Sequence, residues 1–278
     1  MTRTPHGTVT VGGIRIGNDQ PLVLIAGPCV IESESMTERI ARTLEKTARR
    51  MKVPLIFKCS YDKANRSSIK SYRGPGLEEG LEILERLKRR IDAPLLIDVH
   101  SVDEIPAAEA VADILQIPAF MCRQTDLVVA AARTGKIINV KKGQFLAPWD
   151  VRNVVDKAMS VGNRQILLTE RGVSFGYNNL VVDMRGLTVM KGLGCPVIFD
   201  ATHSVQLPGG RGTSTGGQRE FIWPLARAAV AVGVAAVFME VHPDPARALS
   251  DGPNAIPLSA LPGGLRQLMA IDRTVKSF

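Results

Sequence analysis

The stretch Pro21–Ser33 reads PLVLIAGPCVIES. Six residues of nearly unbroken apolar character run into Gly-Pro, then a cysteine, then polar residues that open a helical pattern. A short run that is apolar on both faces suits a parallel strand covered from both sides rather than a half-exposed antiparallel one. The same kind of run recurs seven more times: PLIFKCS from Pro54, PLLIDVH from Pro94, ADILQIPA from Ala112, KIINVKK from Lys136, QILLTER from Gln165, PVIFDATH from Pro196 and AVFMEVH from Ala236. Proline opens several of them, where a missing N–H is tolerated. Amphipathic segments lie between, most clearly ESMTERIARTLEKTARRM from Glu34 and GLEEGLEILERLKRRI from Gly76.

Eight strand–helix units within 278 residues predict an α/β fold, a closed (β/α)8 barrel occupying residues 1–278 as one domain. An open doubly wound sheet is the alternative, but no GxGxxG opens a helix. The leading TVTVGGIRIGND, around Gly12-Gly13, predicts an N-terminal β-hairpin. It belongs to a 1–20 extension that caps the barrel bottom.

With 45% apolar and 22% charged residues the chain is a folded globular protein. Met1–Thr10 lacks the apolar core of a secretory signal, and the uncharged stretch Ala228–Met239 is too short to span a bilayer. Neither export nor membrane insertion is expected. Cys29, Cys59, Cys122 and Cys195 are scattered without a CxxC and read as reduced thiols of a cytoplasmic protein. The formal charge of +8 admits nucleic acid as a partner, but no basic helical stripe supports it, and small anionic ligands fit better.

In such barrels chemistry sits at the C-terminal strand ends. Here those ends carry Lys58 and Ser60, then Lys63, Asn65, Arg66 and Ser67; Asp98 and His100; Gln116; Lys141 and Lys142; Glu170 and Arg171; Asp200 and His203; Glu240 and His242. Alternation along a strand puts Lys58 with Ser60, Asp98 with His100, and Glu240 with His242. It allows only one of Lys141 and Lys142 to point inward, and Lys141 is in step with Asn139. Together Lys58, Lys63, Arg66, Lys141 and Arg171 would line a positive bowl suited to phosphate and carboxylate groups.

Ring closure places the last strand beside the first. Cys29, His203 and Glu240 then come from three contiguous strand ends, and Asp251 in ALSDGPN can join them. A thiolate, an imidazole and two carboxylates suit zinc, iron(II) or manganese(II). His242 is a rival ligand, and His100 reads as a supporting or substrate-facing group. Cys59, Cys122 and Cys195 read as packing residues. The glycine-rich QLPGGRGTSTGGQRE after the seventh strand is a candidate lid whose Arg211 would close over a phosphate.

AGPCVIES, FKCSYDKANRSS, SYRGPGLEEGL, IDVHS, LQIPAFMCRQTDL, NVKKGQF, TERGVSFGYNNLVVDMRGL, FDATHSVQLPGG and EVHPDPARALSDGP closely resemble the 3-deoxy-D-manno-octulosonate 8-phosphate synthases. The resemblance runs from Pro21 to the C-terminus. The sister heptulosonate 7-phosphate synthases share the AGPC corner but carry a KPRTS-like segment where this chain has KANRSS. The resemblance implies condensation of phosphoenolpyruvate with D-arabinose 5-phosphate and water, in lipopolysaccharide inner-core synthesis, by a cytoplasmic homotetramer. It implies a phosphoenolpyruvate pocket of Lys58, Ser60, Lys63, Gln116, Ala119, Lys141 and Arg171. Asn65, Arg66 and Ser67 would hold the pentose phosphate, with Asp98 near its hydroxyls. Lys63, Asp98, Lys141 and His203 are the expected catalytic groups. Cys29, where metal-independent members have asparagine, implies the metal-dependent class, with Cys29, His203, Glu240 and Asp251 as ligands. Ser250 also resembles that class, whereas Gly252-Pro253 resembles the metal-independent pattern. The rival readings are a heptulosonate synthase using erythrose 4-phosphate and a non-catalytic phosphosugar-binding protein.

Overall fold

The computed structural model describes residues 7–210 and 215–277. Eight parallel strands form its centre: β1 Val23–Gly27, β2 Leu55–Lys58, β3 Leu95–Asp98, β4 Ile114–Ile117, β5 Ile137–Lys141, β6 Ile166–Glu170, β7 Val197–Asp200 and β8 Ala236–His242. Each pairs with the next, and β8 returns to β1 over Ala236↔Val23 to Glu240↔Gly27. The sheet is therefore closed, as eight near-continuous apolar runs require. Helices α1 Glu34–Met51, α2 Leu77–Lys88, α3 Ile105–Val111, α4 Thr125–Arg133, α5 Arg152–Met159, α6 Met184–Lys191, α7 Ile222–Val232 and α8 Leu261–Lys276 surround it.

Strand alternation separates two apolar cores. Leu24, Leu55, Phe57, Leu95, Ile97, Leu115, Ile138, Leu168, Phe199 and Val237 point out and pack beneath the helices. The intervening Val23, Ile25, Ile56, Leu96, Ile114, Ile137, Leu167, Ile198, Ala236 and Phe238 fill the lower interior. Helix α1 shows how the outer layer seats: Ile40, Ala41, Leu44 and Ala48 recur at helical spacing and are buried. Ser33 caps it by accepting a hydrogen bond from Met36 N at 3.2 Å.

The expected hairpin is present, with Val9–Val11 pairing antiparallel to Ile14–Ile16. Gly12 and Gly13 both have positive φ, +53° and +79°, as a tight two-residue hairpin turn demands. Val9 and Ile16 are buried in the inner core, so the hairpin closes the N-terminal end of the barrel. Asn18 pins it there, donating to Cys195 O and accepting from Val197 N, each at 2.9 Å. Residues 1–6 of the expected extension, and Arg211 of the candidate lid, lie outside the described residues. No helix among the described residues is long and apolar enough to cross a membrane.

Candidate active site

The C-terminal end of the barrel opens into a cavity of about 750 Å³. Of the residues expected to act there, Lys63, Asn65, Arg66, Ser67, Asp98, Gln116, Ala119, Lys141, Arg171, His203 and Asp251 line it. Lys58 and Ser60 lie just under it: Lys58 Nζ donates to Cys29 O at 3.0 Å and Glu240 Oε1 at 3.1 Å, and Ser60 Oγ donates to Asp98 Oδ2. Gly27 allows this close floor, because a Cβ there would lie 1.8 Å from Lys58 O.

Asp98 is the hub of one half of the site. Gln116 Nε2 donates to its Oδ1 at 2.5 Å, while Lys58 and Lys63 stand 3.7 and 3.5 Å from Oδ2. Burial alone would raise its pKa, but the ammonium groups of Lys58, Lys63 and Lys141 hold it well below the usual carboxylate range. Asp200 is the hub of the other half. Lys141 Nζ lies 2.5 Å and His203 Nδ1 2.6 Å from its Oδ2, and Lys141 also sits 4.0 Å over the Phe238 ring. Burial pushes the Lys141 pKa down, against the opposing pull of Asp200. Lys141 therefore points into the barrel, in step with Asn139. Lys142 is buried outside the strand ring instead, near Glu170.

Cys29, Glu240 and Asp251 offer ligand atoms that all lie within 4.8 Å of one another. His203 Nε2 flanks them, 3.4 Å from Glu240 Oε1 and 3.7 Å from Asp251 Oδ2. With Asp200 at its Nδ1, His203 turns Nε2 toward the cluster, the arrangement a ligating imidazole needs. Cys29 Sγ touches Ser250 Oγ at 2.7 Å and Asp251 Oδ2 at 3.2 Å. Burial raises the Cys29 pKa, and the carboxylates of Asp251 and Glu240 raise it further. Glu240 Oε2 is buried without a hydrogen-bond partner among the described residues. A mixed sulfur, nitrogen and oxygen set with an orphaned carboxylate oxygen fits a divalent cation. The rival ligand His242 does not join it: its Nδ1 accepts from Asp244 N at 3.0 Å, and its Nε2 faces Glu32 at 3.5 Å. His100 lines the cavity, with Nδ1 3.2 Å from Glu104 Oε2.

Two participants carry no individual mark in the sequence. Gln206 accepts from Arg171 Nη2 at 2.6 Å, and Arg219 Nη2 donates to Gly252 O at 2.5 Å, steadying the Asp251 loop. Asp200 stood at a strand end and was visible there, but its pairing with both Lys141 and His203 depends on distances across the barrel. Gln206 follows a 3-10 turn and opens the glycine-rich run quoted above, but nothing in that run marks it as the partner of Arg171.

Residues 4–276 match the DAHP synthetase I family. A protein named 2-dehydro-3-deoxyphosphooctonate aldolase from Geotalea uraniireducens is 60% identical over 268 residues, 96% of this chain and 98% of the relative. Proteins of the same name from Trichlorobacter lovleyi and Syntrophotalea carbinolica are 61% and 59% identical, covering 96% and 97% of this chain and 98% and 97% of their own. The AGPC corner, the cation-lined cavity and these full-length matches coincide on one barrel, and the chain belongs to the DAHP synthetase I family.

Proposed function

We infer that this enzyme condenses phosphoenolpyruvate with D-arabinose 5-phosphate and water, giving 3-deoxy-D-manno-octulosonate 8-phosphate and inorganic phosphate, as the relatives' shared name indicates. The observation that carries the reading is the cavity itself: Lys63, Lys141, Arg66 and Arg171 surround it beside a thiol–carboxylate cluster. Two phosphorylated, anionic reactants need such a cationic lining.

In this reading Lys63, Lys141, Gln116, Ala119 and Arg171 hold phosphoenolpyruvate, with Lys58 and Ser60 supporting them from below. Asn65, Arg66 and Ser67 take the phosphate of the pentose, and Asp98 orients its hydroxyls. Arg171 Nη1 is buried with no partner among the described residues, which leaves a donor free for an anion. C3 of phosphoenolpyruvate attacks the aldehyde, water adds at C2, and phosphate departs by C–O cleavage. The Lys and Arg donors stabilise the charge that develops. Cys29, His203, Glu240 and Asp251 would hold a divalent ion: zinc, iron(II) or manganese(II). Once bound, that ion supplies Lewis-acid polarisation at this edge of the cavity. Asp200 keeps the His203 ring oriented, and its pull with that of Glu240 raises the imidazole pKa against the lowering effect of burial.

The chain is read as one barrel domain over residues 1–278. Four free thiols support a cytoplasmic setting. Exposed Phe120, Phe145, Trp149, Phe175 and Tyr177, on the loops after β4, β5 and β6, support self-association; the homotetramer is what the resemblance implies. The product's use in lipopolysaccharide synthesis is what the family resemblance and the relatives' name imply.

The test is phosphate release from phosphoenolpyruvate with arabinose 5-phosphate or erythrose 4-phosphate, before and after chelation. Turnover with the pentose, lost on chelation and restored by a divalent ion, is the expected result. Preference for erythrose 4-phosphate would establish the heptulosonate alternative, and binding without phosphate release would establish a mere phosphosugar binder.

A further inference from the structure

Lys142 and Glu170 are buried charged residues that the mechanism above does not use. Their side chains are 0% and 3% exposed, and Lys142 Nζ lies 3.5 Å from Glu170 Oε2. Each is the chain neighbour of a cation that lines the cavity. Lys142 follows Lys141 at the end of β5, and Glu170 precedes Arg171 at the end of β6. Alternation sends the pair outward where its neighbours go inward.

The pair also fixes the two turns that leave these strands. Glu170 Oε1 accepts from Arg171 N at 3.0 Å and from Gly172 N at 2.6 Å. Gly172 has a φ of +89°, so the chain reverses there in a conformation that favours glycine. On the other strand Lys142 N continues the ladder to Thr169 O at 2.8 Å. Lys142 Nζ then donates to Leu146 O at 3.1 Å, across the turn closed by Leu146 N on Gly143 O. A third link, Ser174 N to Gln144 O at 2.9 Å, joins the two loops. Gln144 lines the same cavity.

A buried ion pair contributes little net stability compared with apolar residues of equal volume, because both charges lose their hydration. What this pair provides is direction. One carboxylate holds the two backbone N–H groups that orient Arg171, and one ammonium holds the turn just beyond Lys141.

We propose that Lys142 and Glu170 are positioning residues that aim Lys141 and Arg171 at the anionic donor substrate. The proposal rests on the reading of the cavity as a phosphoenolpyruvate site. It predicts an effect on the grip on that substrate rather than on bond making, since neither residue reaches the reacting atoms.

The experiment is steady-state kinetics of the metal-loaded enzyme with Lys142→Met, Glu170→Gln and the double variant Lys142→Met/Glu170→Met. The singles leave one charge buried without its partner and can unfold the chain; the double removes both charges at nearly constant volume and keeps the test decisive. The expected result is a KM for phosphoenolpyruvate raised at least tenfold. The kcat stays within threefold and the KM for arabinose 5-phosphate within twofold. The control is Lys276→Met/Asp272→Met, which removes a buried pair 2.7 Å apart on α8, far from the cavity, and should leave both KM values unchanged. A phosphoenolpyruvate KM within twofold of wild type in the folded variants, or a loss confined to kcat, overturns the proposal. A wild-type chain that neither binds nor turns over phosphoenolpyruvate sinks the parent reading, and this one with it. A normal wild type with unaltered variants sinks this one alone.

Discussion

At the lower end of the barrel the inward positions carry Ile56, Leu96, Ile114, Ile137, Leu167 and Ile198. Two residues further along the same strands they carry Lys58, Asp98, Gln116, Asn139, Thr169 and Asp200, all buried. One pleat repeat thus separates a dry core from a polar floor. The lower layer gains from removing apolar surface from water. The upper layer bears the cost of buried charge, offset by pairing, as Lys58 with Glu240 and Lys141 with Asp200 demonstrate. The two layers differ in what their residues are kept for: the lower holds the ring closed, and the upper holds charges where reactants arrive.

Substitution should separate these roles. The largest effect is expected at the upper layer from Lys141→Met, which removes the ammonium and keeps an unbranched apolar stem of similar volume. The kcat/KM for phosphoenolpyruvate should fall by roughly a thousandfold, the scale for losing one preorganised charged donor. The folded state should persist, because Asp200 keeps His203 as a partner. Wild-type turnover with a shifted melting temperature would assign Lys141 to the structural layer. Next in size is Cys29→Ala. Bound metal should be lost and turnover should drop by on the order of a hundredfold, checked by elemental analysis beside phosphate release. Full activity in the chelated variant would remove the metal from the mechanism.

The lower layer should answer oppositely. Ile16→Ala truncates a fully buried hairpin residue in the inner core. About 2–3 kcal/mol of stability should be lost, read by denaturant unfolding, with kcat unchanged well below the melting temperature. A fall in kcat for the folded variant would mean that the plug communicates with the cavity, and the contrast between the two ends would weaken.

Much of this division was legible in the sequence because it rests on two periodicities. Strands buried on both faces read as unbroken apolar runs, which revealed the eight-fold barrel. Alternation from Asn139 pointed Lys141 inward, and ring closure placed Cys29 beside Glu240. Legibility stopped where the strands stop. His242 continues the β8 alternation from Glu240, yet it turns to Glu32, because beyond the ring nothing in the pleat fixes which neighbour a side chain meets. Alternation puts Lys58 on the inward face, but its depth under the cavity is set by Gly27 and by the pull of Glu240. The Arg171–Gln206 contact joins two loops, and loop geometry leaves no periodic trace.

The smallest expected effect lies at the rim, where Glu104 accepts from Tyr61 Oη at 2.6 Å and from His100 N at 2.7 Å. Burial alone would raise its pKa. The hydrogen bonds from His100 and Tyr61 outweigh that and hold it at about 2, against an ordinary 4.5. A depressed folded-state value means the carboxylate stabilises the fold fully above pH 4.5, where both states are ionised. Between about pH 4.5 and 2 the unfolded chain takes up the proton first, and the contribution disappears. Glu104→Gln keeps the shape and one acceptor but not the charge, so it should cost about 1 kcal/mol at neutral pH. Denaturant unfolding at a series of pH values should show wild type and variant converging as the pH falls through that window. A constant difference down to pH 2 would mean that Glu104 acts by shape alone, and that charge at this end of the barrel matters only inside the cavity.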